Sequence, residues 1–139
     1  MIALPSDKIL TFLLDFAVGI IHLTVEGTRS YQSLDNTGRE KFMNKMRIEV
    51  SKCIPIVESR LIHSNHFLEY DKIDRNDLLF ITFRIGPPEE NDFNKKSAKD
   101  VFDDFAKLFE INGDVKTRLD VNSYARYIDK RFGFRETRK

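Results

Sequence analysis

The sequence has no tryptophan, one cysteine (Cys53) and six scattered glycines among its 139 residues. A single cysteine can form neither an internal disulfide nor a cysteine-based zinc site. The scattered glycines exclude a glycine-rich phosphate loop, and neither the Gly-x-Ser-x-Gly turn of serine hydrolases nor the His-Glu-x-x-His pattern of zinc proteases occurs. These absences favour a non-enzymatic protein without metal or cofactor, although they leave an enzyme open.

Long hydrophobic runs are also scarce. The longest, residues 9–25, carries Asp15 and His22 and is too short to cross a bilayer. It has neither the positively charged flank nor the small-residue cleavage site of a signal peptide. Because a chain without a disulfide framework also fits a reducing compartment, we expect a cytoplasmic protein with no membrane partner.

The composition is that of a folded domain. Apolar residues make up 41% of the chain and charged residues 32%, and twelve phenylalanines supply bulky core side chains. At this length one hydrophobic core is sufficient for folding without disulfides or metals. We therefore predict a single globular domain over residues 1–133, followed by a basic tail over residues 134–139.

Helical spacing dominates the first half. Ser6 is a suitable N-cap for a long helix through residues 9–25, although the segment "IIHLTVEG" is also compatible with a strand. The polar stretch "GTRSYQSLDNTG" that follows predicts a loop. Beyond it, apolar residues recur every three or four positions: Met43, Met46, Val50, Cys53, Val57 and Leu61. This stripe predicts a second long helix from about Thr37 to His63, kinked at Pro55.

The second half mixes two kinds of element. Apolar and polar residues alternate around the polar loop "DRND", which predicts a β-hairpin near residues 66–85; a short buried helix after Asn76 is the alternative. Ser97 begins a third helix that ends at Asn112–Gly113, and a fourth runs to Phe132. The predicted fold is therefore mainly α, with two long N-terminal helices, the hairpin and two C-terminal helices, and α+β is the alternative class.

The stretch "ESRLIHSNHFLEY", residues 58–70, carries the sharpest chemical pattern. Histidine titrates near neutral pH and can act as acid or base, and arginine can hold a phosphate. Five residues separate Arg60 from His66, which is similar to the loose Arg-x(4–6)-His signature of the HEPN ribonucleases, a family of helical bundles of about this length. The resemblance implies a metal-independent ribonuclease that uses Arg60 and His66, with His63 as a further candidate.

The resemblance covers seven residues and departs from the family's pattern. Leu61 follows the arginine where the family often has a polar residue, and the motif lies at the end of a predicted helix rather than at its start. A competing interpretation is an ordinary helix end. Arg60 and His63 would then lie in the last turn, where cations interact favourably with the helix dipole, and Ser64 would begin the turn that follows.

A metal site is a third interpretation of the same stretch. His63 and His66 would share a helix face at this spacing, and Glu69 or Asp71 could add a ligand. Zinc sites with paired histidines need a third strong ligand at a defined spacing, and the sequence has no such motif. We therefore expect no metal.

The C-terminal segment "SYARYIDKRFGFRETRK" interleaves cations with aromatic residues, a pattern that can hold phosphates and stack bases. Its candidates for nucleic-acid binding are Arg126, Tyr127, Lys130, Arg131 and Arg135. The structural alternative is an ordinary solvated helix face with favourable cations near its C-terminal end.

Charge is segregated along the chain. Residues 69–110 hold eleven acids and seven bases, a net charge of −4, whereas residues 116–139 hold eight bases and three acids, a net charge of +5. Together with the missing catalytic signatures, this favours a small regulatory protein that binds a macromolecular partner, most simply another protein. Nucleic-acid binding is the second hypothesis and the ribonuclease is the third. The apolar first helix would also allow a homodimer.

Overall fold

The computed structural model describes residues 15–73, 75–90, 92–108, 124–129, 132 and 134–136. The start of the first predicted helix lies outside these residues, as do the predicted helix end at Asn112–Gly113 and the last residues of the predicted tail. None of the helices within the described ranges is long and apolar enough to cross a membrane.

An antiparallel sheet runs through the fold. The described residues contribute four strands: β1 (Ala17–His22), β2 (Leu61–Asp71), β3 (Asn76–Ile85) and β4 (Arg135–Glu136). Their order across the sheet is β2-β3-β1-β4, and every neighbouring pair is antiparallel. The β-hairpin predicted near residues 66–85 is thus confirmed as β2–β3. It is longer than predicted, because β2 begins at Leu61, and it places β2 at one edge of these four strands.

Three α-helices accompany the strands: α1 (Val25–Gln32), α2 (Asn36–Cys53) and α3 (Ala98–Leu108). Side chains cap their N-termini. Thr24 Oγ1 accepts a hydrogen bond from the amide of Gly27, and Asp35 Oδ1 accepts one from the amide three residues further on. Ser97, the predicted cap of the third helix, accepts one from the amide of Asp100. Two 3-10 turns are also present: Glu58–Arg60 and Tyr124–Tyr127.

The prediction of a mainly α fold is wrong, since the structure is α+β. Residues 17–22 form a strand inside the segment predicted as the first helix. The β-branched side chains of this segment favour a strand, and Gly19 weakens a helix. A nearly continuous apolar run does not distinguish a buried strand from a buried helix, which is why periodicity failed here. The predicted loop after it is also wrong, because its first half belongs to α1 and its last three residues begin α2.

The second predicted helix ends early. It stops at Cys53 rather than at His63, because Pro55 lacks the amide hydrogen that a further helical turn needs. Its apolar stripe from Met43 to Cys53 is buried, as predicted. The stripe residue Leu61, by contrast, is the first residue of β2.

The fourth predicted helix is not an α-helix within the described residues. Tyr124–Tyr127 form a 3-10 turn, after which Ile128 makes an isolated bridge to Leu23. In the segment expected to be a tail, Phe134 is buried and Arg135–Glu136 pair with β1 as β4. The described residues of this segment therefore pack against the rest of the fold instead of forming a solvated helix.

One hydrophobic core joins the sheet to α2 and α3. The sheet contributes Ile21, Leu79, Ile81, Phe83 and Ile85, α2 contributes Phe42, Met43, Met46 and Val50, and α3 contributes Val101, Phe102 and Phe105. Alternate residues of a strand point to the same face, so the residues from Leu79 to Ile85 in this set define a single face of β3. We call it the helix face of the sheet.

The aromatic ring of Phe134 packs directly against the backbone of Gly19, where an added Cβ would overlap it. The ring is held in place by Phe102 and Phe105, at centroid distances of 4.7 and 4.0 Å. We predict that Gly19→Ala lowers the free energy of unfolding by about 1–3 kcal/mol, because the ring must leave its packed position. Urea denaturation measures this loss.

Gly86→Ala is the matched control for this substitution. A Cβ at Gly86 would have the carbonyl oxygen of Arg60 as its nearest neighbour, at 3.8 Å, which is ordinary contact. Its free energy of unfolding should stay within about 0.5 kcal/mol of the unmodified protein. Equal losses in the two variants would contradict the close packing at Gly19.

Candidate functional site

A β-bulge places His63 and His66 on the same face of β2. In a regular strand, residues three apart point to opposite faces. Here His63 pairs with Phe83 and His66 pairs with Ile81, so β2 has one more residue than β3 over this interval. Because Phe83 and Ile81 both lie on the helix face, the two histidines share that face. The sequence interpretation grouped them on a helix; the structure groups them on a bulged strand.

The two histidines belong to a short chain of hydrogen bonds. Nε2 of His63 lies 3.0 Å from Nδ1 of His66, and the rings stack with their centroids 5.0 Å apart. On the far side of His66, Nε2 lies 3.1 Å from the hydroxyl of Tyr31 in α1. Tyr31 is buried, whereas the His66 ring that it contacts is exposed.

Burial lowers the pKa of His63 below its usual value of 6.5, and the positive charge of His66 lowers it further. A backbone hydrogen bond at Asn65 acts in the opposite direction and is the weakest of the three effects. At neutral pH His63 is therefore an uncharged imidazole that can accept a proton. Such a group, held beside a second histidine in a groove, has the properties of a binding or acid–base site.

Helix α2 forms the opposite wall of a groove of about 740 Å³ that contains both histidines. Its contribution is a stripe at helical spacing: Asn36, Arg39, Glu40, Met43, Asn44 and Arg47. Tyr31 and the first residues of β2 complete the lining. We call this cavity the histidine groove. It has an apolar floor at Met43 and Leu61 and a polar, mainly cationic rim.

Two arginines of the histidine groove carry charges that no carboxylate balances within the described residues. The guanidinium of Arg39 lies 5.1 Å from the ring centroid of Tyr31 and donates to the backbone oxygen of Gln32 at 2.9 Å. Arg47 donates to the backbone oxygens of Glu58 and Leu61, at 2.6 and 3.2 Å. Backbone dipoles hold both groups in place without cancelling their charge.

Arg60, the first candidate of the ribonuclease hypothesis, lies outside the histidine groove. It is buried, and its guanidinium forms an ion pair of 3.2 Å with Asp92, which is buried as well. The remaining hydrogen bonds go to the backbone oxygens of Gly86, Asn94 and Lys96. This network fastens the loop after β3 to the start of β2. Four of its five N–H donors are used and the side chain is buried, so Arg60 is not available to hold a phosphate beside His66.

The structure does not bring together the two residues of the HEPN-like hypothesis. The described fold is α+β rather than a helical bundle, and Arg60 does not line the groove that contains His66. Sequence spacing could not reveal this, because the partner of Arg60 is Asp92, 32 positions away in an acidic loop.

The C-terminal candidates for nucleic-acid binding do not form a stacking platform. Tyr127 is buried against Phe42, at a ring distance of 6.2 Å, and Arg126 donates to its hydroxyl at 2.8 Å. Arg135 donates to the backbone oxygen of Phe132 at 2.7 Å. Lys130 and Arg131, the other two candidates, lie outside the described residues.

No group of three His, Cys, Asp or Glu side chains that could hold a metal occurs in the part of the chain that the structure describes. Glu69 and Asp71, considered as extra ligands, follow the histidines along β2 and do not line the histidine groove.

The chain has no recognisable relative. Comparisons with protein-family models, with curated proteins and with solved structures gave no match. Its function has to be argued from the histidine groove and its surroundings. Three of the groove's residues, Tyr31, Arg39 and Arg47, were missed as site residues by the sequence interpretation. The polar stripe of α2 at three- and four-residue spacing was the signal that could have found the two arginines.

Replacing Arg60 should test whether its role is structural. We predict that Arg60→Ala lowers the free energy of unfolding by about 3–5 kcal/mol, because it leaves the carboxylate of Asp92 buried without its countercharge. Arg84→Ala, which removes an exposed arginine of β3, is the control and should change stability by no more than about 0.5 kcal/mol. Denaturant titration compares them, and a stable Arg60→Ala protein would refute the structural role.

The lowered pKa of His63 also predicts a dependence of stability on pH. On unfolding, His63 regains its usual pKa of 6.5, so near this pH the unfolded chain binds a proton more readily than the folded chain does. The free energy of unfolding should therefore fall as the pH drops through this range. The His63→Gln protein lacks this titrating group, so its free energy of unfolding should fall less between about pH 7.5 and about pH 5.5 than that of the unmodified protein. Denaturation at both pH values measures the difference, and parallel losses in the two proteins would contradict it.

Proposed function

We propose that this protein binds an extended segment of a partner protein, which pairs with the outer edge of β2 and extends into the histidine groove. The observation that carries the proposal is the position of β2. It is an eleven-residue strand at the edge of the described sheet, with no described strand on its outer side, and it forms one wall of the groove. Adding a strand to such an edge is a common mode of peptide recognition.

Exposed apolar side chains concentrate along this edge. Seven large hydrophobic residues of the described chain are exposed, and five of them fall between positions 62 and 73: Ile62, Phe67, Leu68, Tyr70 and Ile73. Tyr70 is 58% exposed and Ile73 is 82% exposed. Single exposed hydrophobics are ordinary, whereas a row of them on an edge strand is typical of an interface.

The charge of the histidine groove indicates what the bound segment carries. Arg39 and Arg47 are not balanced by a described carboxylate, and Glu40 is the one acid in the lining. The two histidines add positive charge when they are protonated. An extended segment with acidic side chains on one face and apolar side chains on the other would complement the cationic rim of the groove on the helix face and the exposed Phe67 on the opposite face of β2.

This proposal keeps the regulatory, partner-binding function expected from the sequence and assigns it a surface. We place the function in the cytoplasm, because the single cysteine, Cys53, is buried and forms no disulfide, which fits a reducing compartment. Nucleic-acid binding loses its predicted platform at Tyr127 and stands as a competing outcome of the experiment below.

A labelled peptide of alternating valine and glutamate is a suitable probe, because alternation places the two side-chain types on opposite faces of a strand. Binding should be seen by fluorescence anisotropy, and the backbone amide signals that shift on binding should belong to β2. The same peptide with lysine in place of glutamate should bind at least about tenfold more weakly, because it meets the arginines of the groove. Equal binding of both peptides would refute the charge argument.

Leu68→Lys should weaken binding of the glutamate peptide by about tenfold or more, because lysine on an edge strand opposes the addition of a further strand. Phe93→Lys is the matched control, since Phe93 is 75% exposed in the loop after β3, away from the edge. It should leave binding unchanged. Equal effects of the two substitutions would refute docking at β2.

Two further measurements separate the competing occupants. Light scattering should find a monomer; a dimer that Leu68→Lys dissociates would assign the edge to a second copy of the chain. Labelled single-stranded RNA should not bind to the groove. RNA binding that weakens steeply with salt and is lost in Arg39→Gln would overturn the proposal in favour of nucleic acid.

A further inference from the structure

We propose that His63, His66 and Arg39 form a subsite for an oxyanion, either a carboxylate or a phosphate group, and that binding of this group brings a proton onto the histidine pair. The inference rests on the proposed function for the source of the oxyanion, which would be a side chain of the bound segment. The contacts that carry it are those of the two imidazoles and can be tested with a free anion.

The geometry of the pair limits its charge. Nε2 of His63 and Nδ1 of His66 are 3.0 Å apart, which is the length of one hydrogen bond. One of these nitrogens must donate and the other must accept, because a proton on both would set two N–H groups head to head. In this arrangement the pair carries at most one positive charge.

An oxyanion bound between the two imidazoles removes the limit of one positive charge. Its oxygens can accept a hydrogen bond from each imidazole, so that both facing nitrogens become donors. His66 is exposed, and its ring can turn from His63 to admit an oxygen between them. Both imidazoles are then protonated, so two positive charges lie against the anion where the free pair held at most one. Binding is therefore coupled to the uptake of at least one proton from solvent.

The groups around the pair favour a negative ligand. From α1, Tyr31 contacts His66 through its hydroxyl. From α2, the cations Arg39 and Arg47 line the same groove and outnumber the acid Glu40. Strand β3 contributes the uncharged ring of Phe83, whose centroid lies 6.3 Å from that of His63.

Arg39 is the cation best placed to assist. Its position is fixed through Tyr31, whose ring lies under the guanidinium and whose hydroxyl contacts His66. Its Nε atom is buried and has no hydrogen-bond partner in the described chain. A buried donor without an acceptor is rare in folded proteins, and an oxyanion in the groove would add the acceptor and the negative charge that this arginine lacks.

Inorganic sulfate is the probe for the first experiment, because it stays doubly charged across the pH range used. Histidine ring-proton signals in NMR spectra should shift on adding sulfate, and the pKa of the pair should rise at saturation. The affinity for sulfate should increase by at least about tenfold for each unit that the pH falls between about 7.5 and 6.5, as expected for at least one coupled proton. An affinity that does not change with pH would overturn the inference.

His63→Gln and His66→Gln should each abolish the pH dependence and weaken sulfate binding by about tenfold or more. Lys99→Gln removes one exposed positive charge from α3 and is the matched control, with no expected change. Backbone amide spectra establish that the variants are folded. Sulfate binding that survives both histidine substitutions, or that weakens equally in the control, would overturn the subsite.

Peptide arms of the same experiment distinguish the source of the anion and separate this inference from the proposed function. In one arm, a phosphoserine replaces one glutamate of the valine–glutamate peptide. Stronger binding than that of the original peptide would assign the subsite to phosphate, and weaker binding would assign it to carboxylate. Sulfate binding without peptide binding would keep the subsite and refute strand docking. A peptide affinity that changes neither with pH nor on either histidine substitution would keep strand docking and refute the subsite.

Discussion

The bulge at Ser64 determines which side chains of β2 reach the helices. A one-residue change in the register of a strand moves every later side chain to the other face. The extra residue brings His66 back to the face that His63 already occupies. The hydroxyl of Ser64 donates to the backbone oxygen of Thr82 at 3.1 Å, so the bulge keeps a bond to β3. Without the bulge, the side chains of His63 and His66 would point to opposite faces of β2, and the hydroxyl of Tyr31 would have no hydrogen-bond partner on β2.

Arginine has two different roles around β2. Arg60 is buried with its countercharge Asp92 and with three backbone oxygens, so its charge is neutralised inside the protein. Arg47 ties α2 to the start of β2 through backbone oxygens and has no countercharge in the described chain. Desolvating an arginine is tolerable when its charge is paired, whereas an unpaired arginine on a groove wall is available to a ligand. This difference separates the structural residue from the site.

Local sequence signals predicted part of this structure. The stripe of α2, the cap at Ser97 and the hairpin were recognisable, because each depends on neighbours within a few residues. Strand β1 was not, since its apolar run fits a helix or a strand and its partners lie in β3, more than fifty residues away. The pairing of Arg60 with Asp92 and the bulge at Ser64 also depend on distant partners. The composition of the segment therefore indicated a cluster of His63 and His66, but the sequence placed the two residues on a helix, whereas they lie on strand β2.

The properties of β2 explain why an edge with exposed hydrophobics persists in a folded protein. Arg47 covers the carbonyl of Leu61 at its beginning, the bulge interrupts its regular pairing at Ser64, and Glu69 and Asp71 add charge near its end. Each of these devices discourages unselective addition of another strand. The unprotected stretch between them begins at His66, the residue that also faces the groove. In the complex that we propose, a partner segment would have to fit the edge and the groove together, and a segment that fits only one of them would gain little. The same arrangement would then provide both selectivity and protection against aggregation.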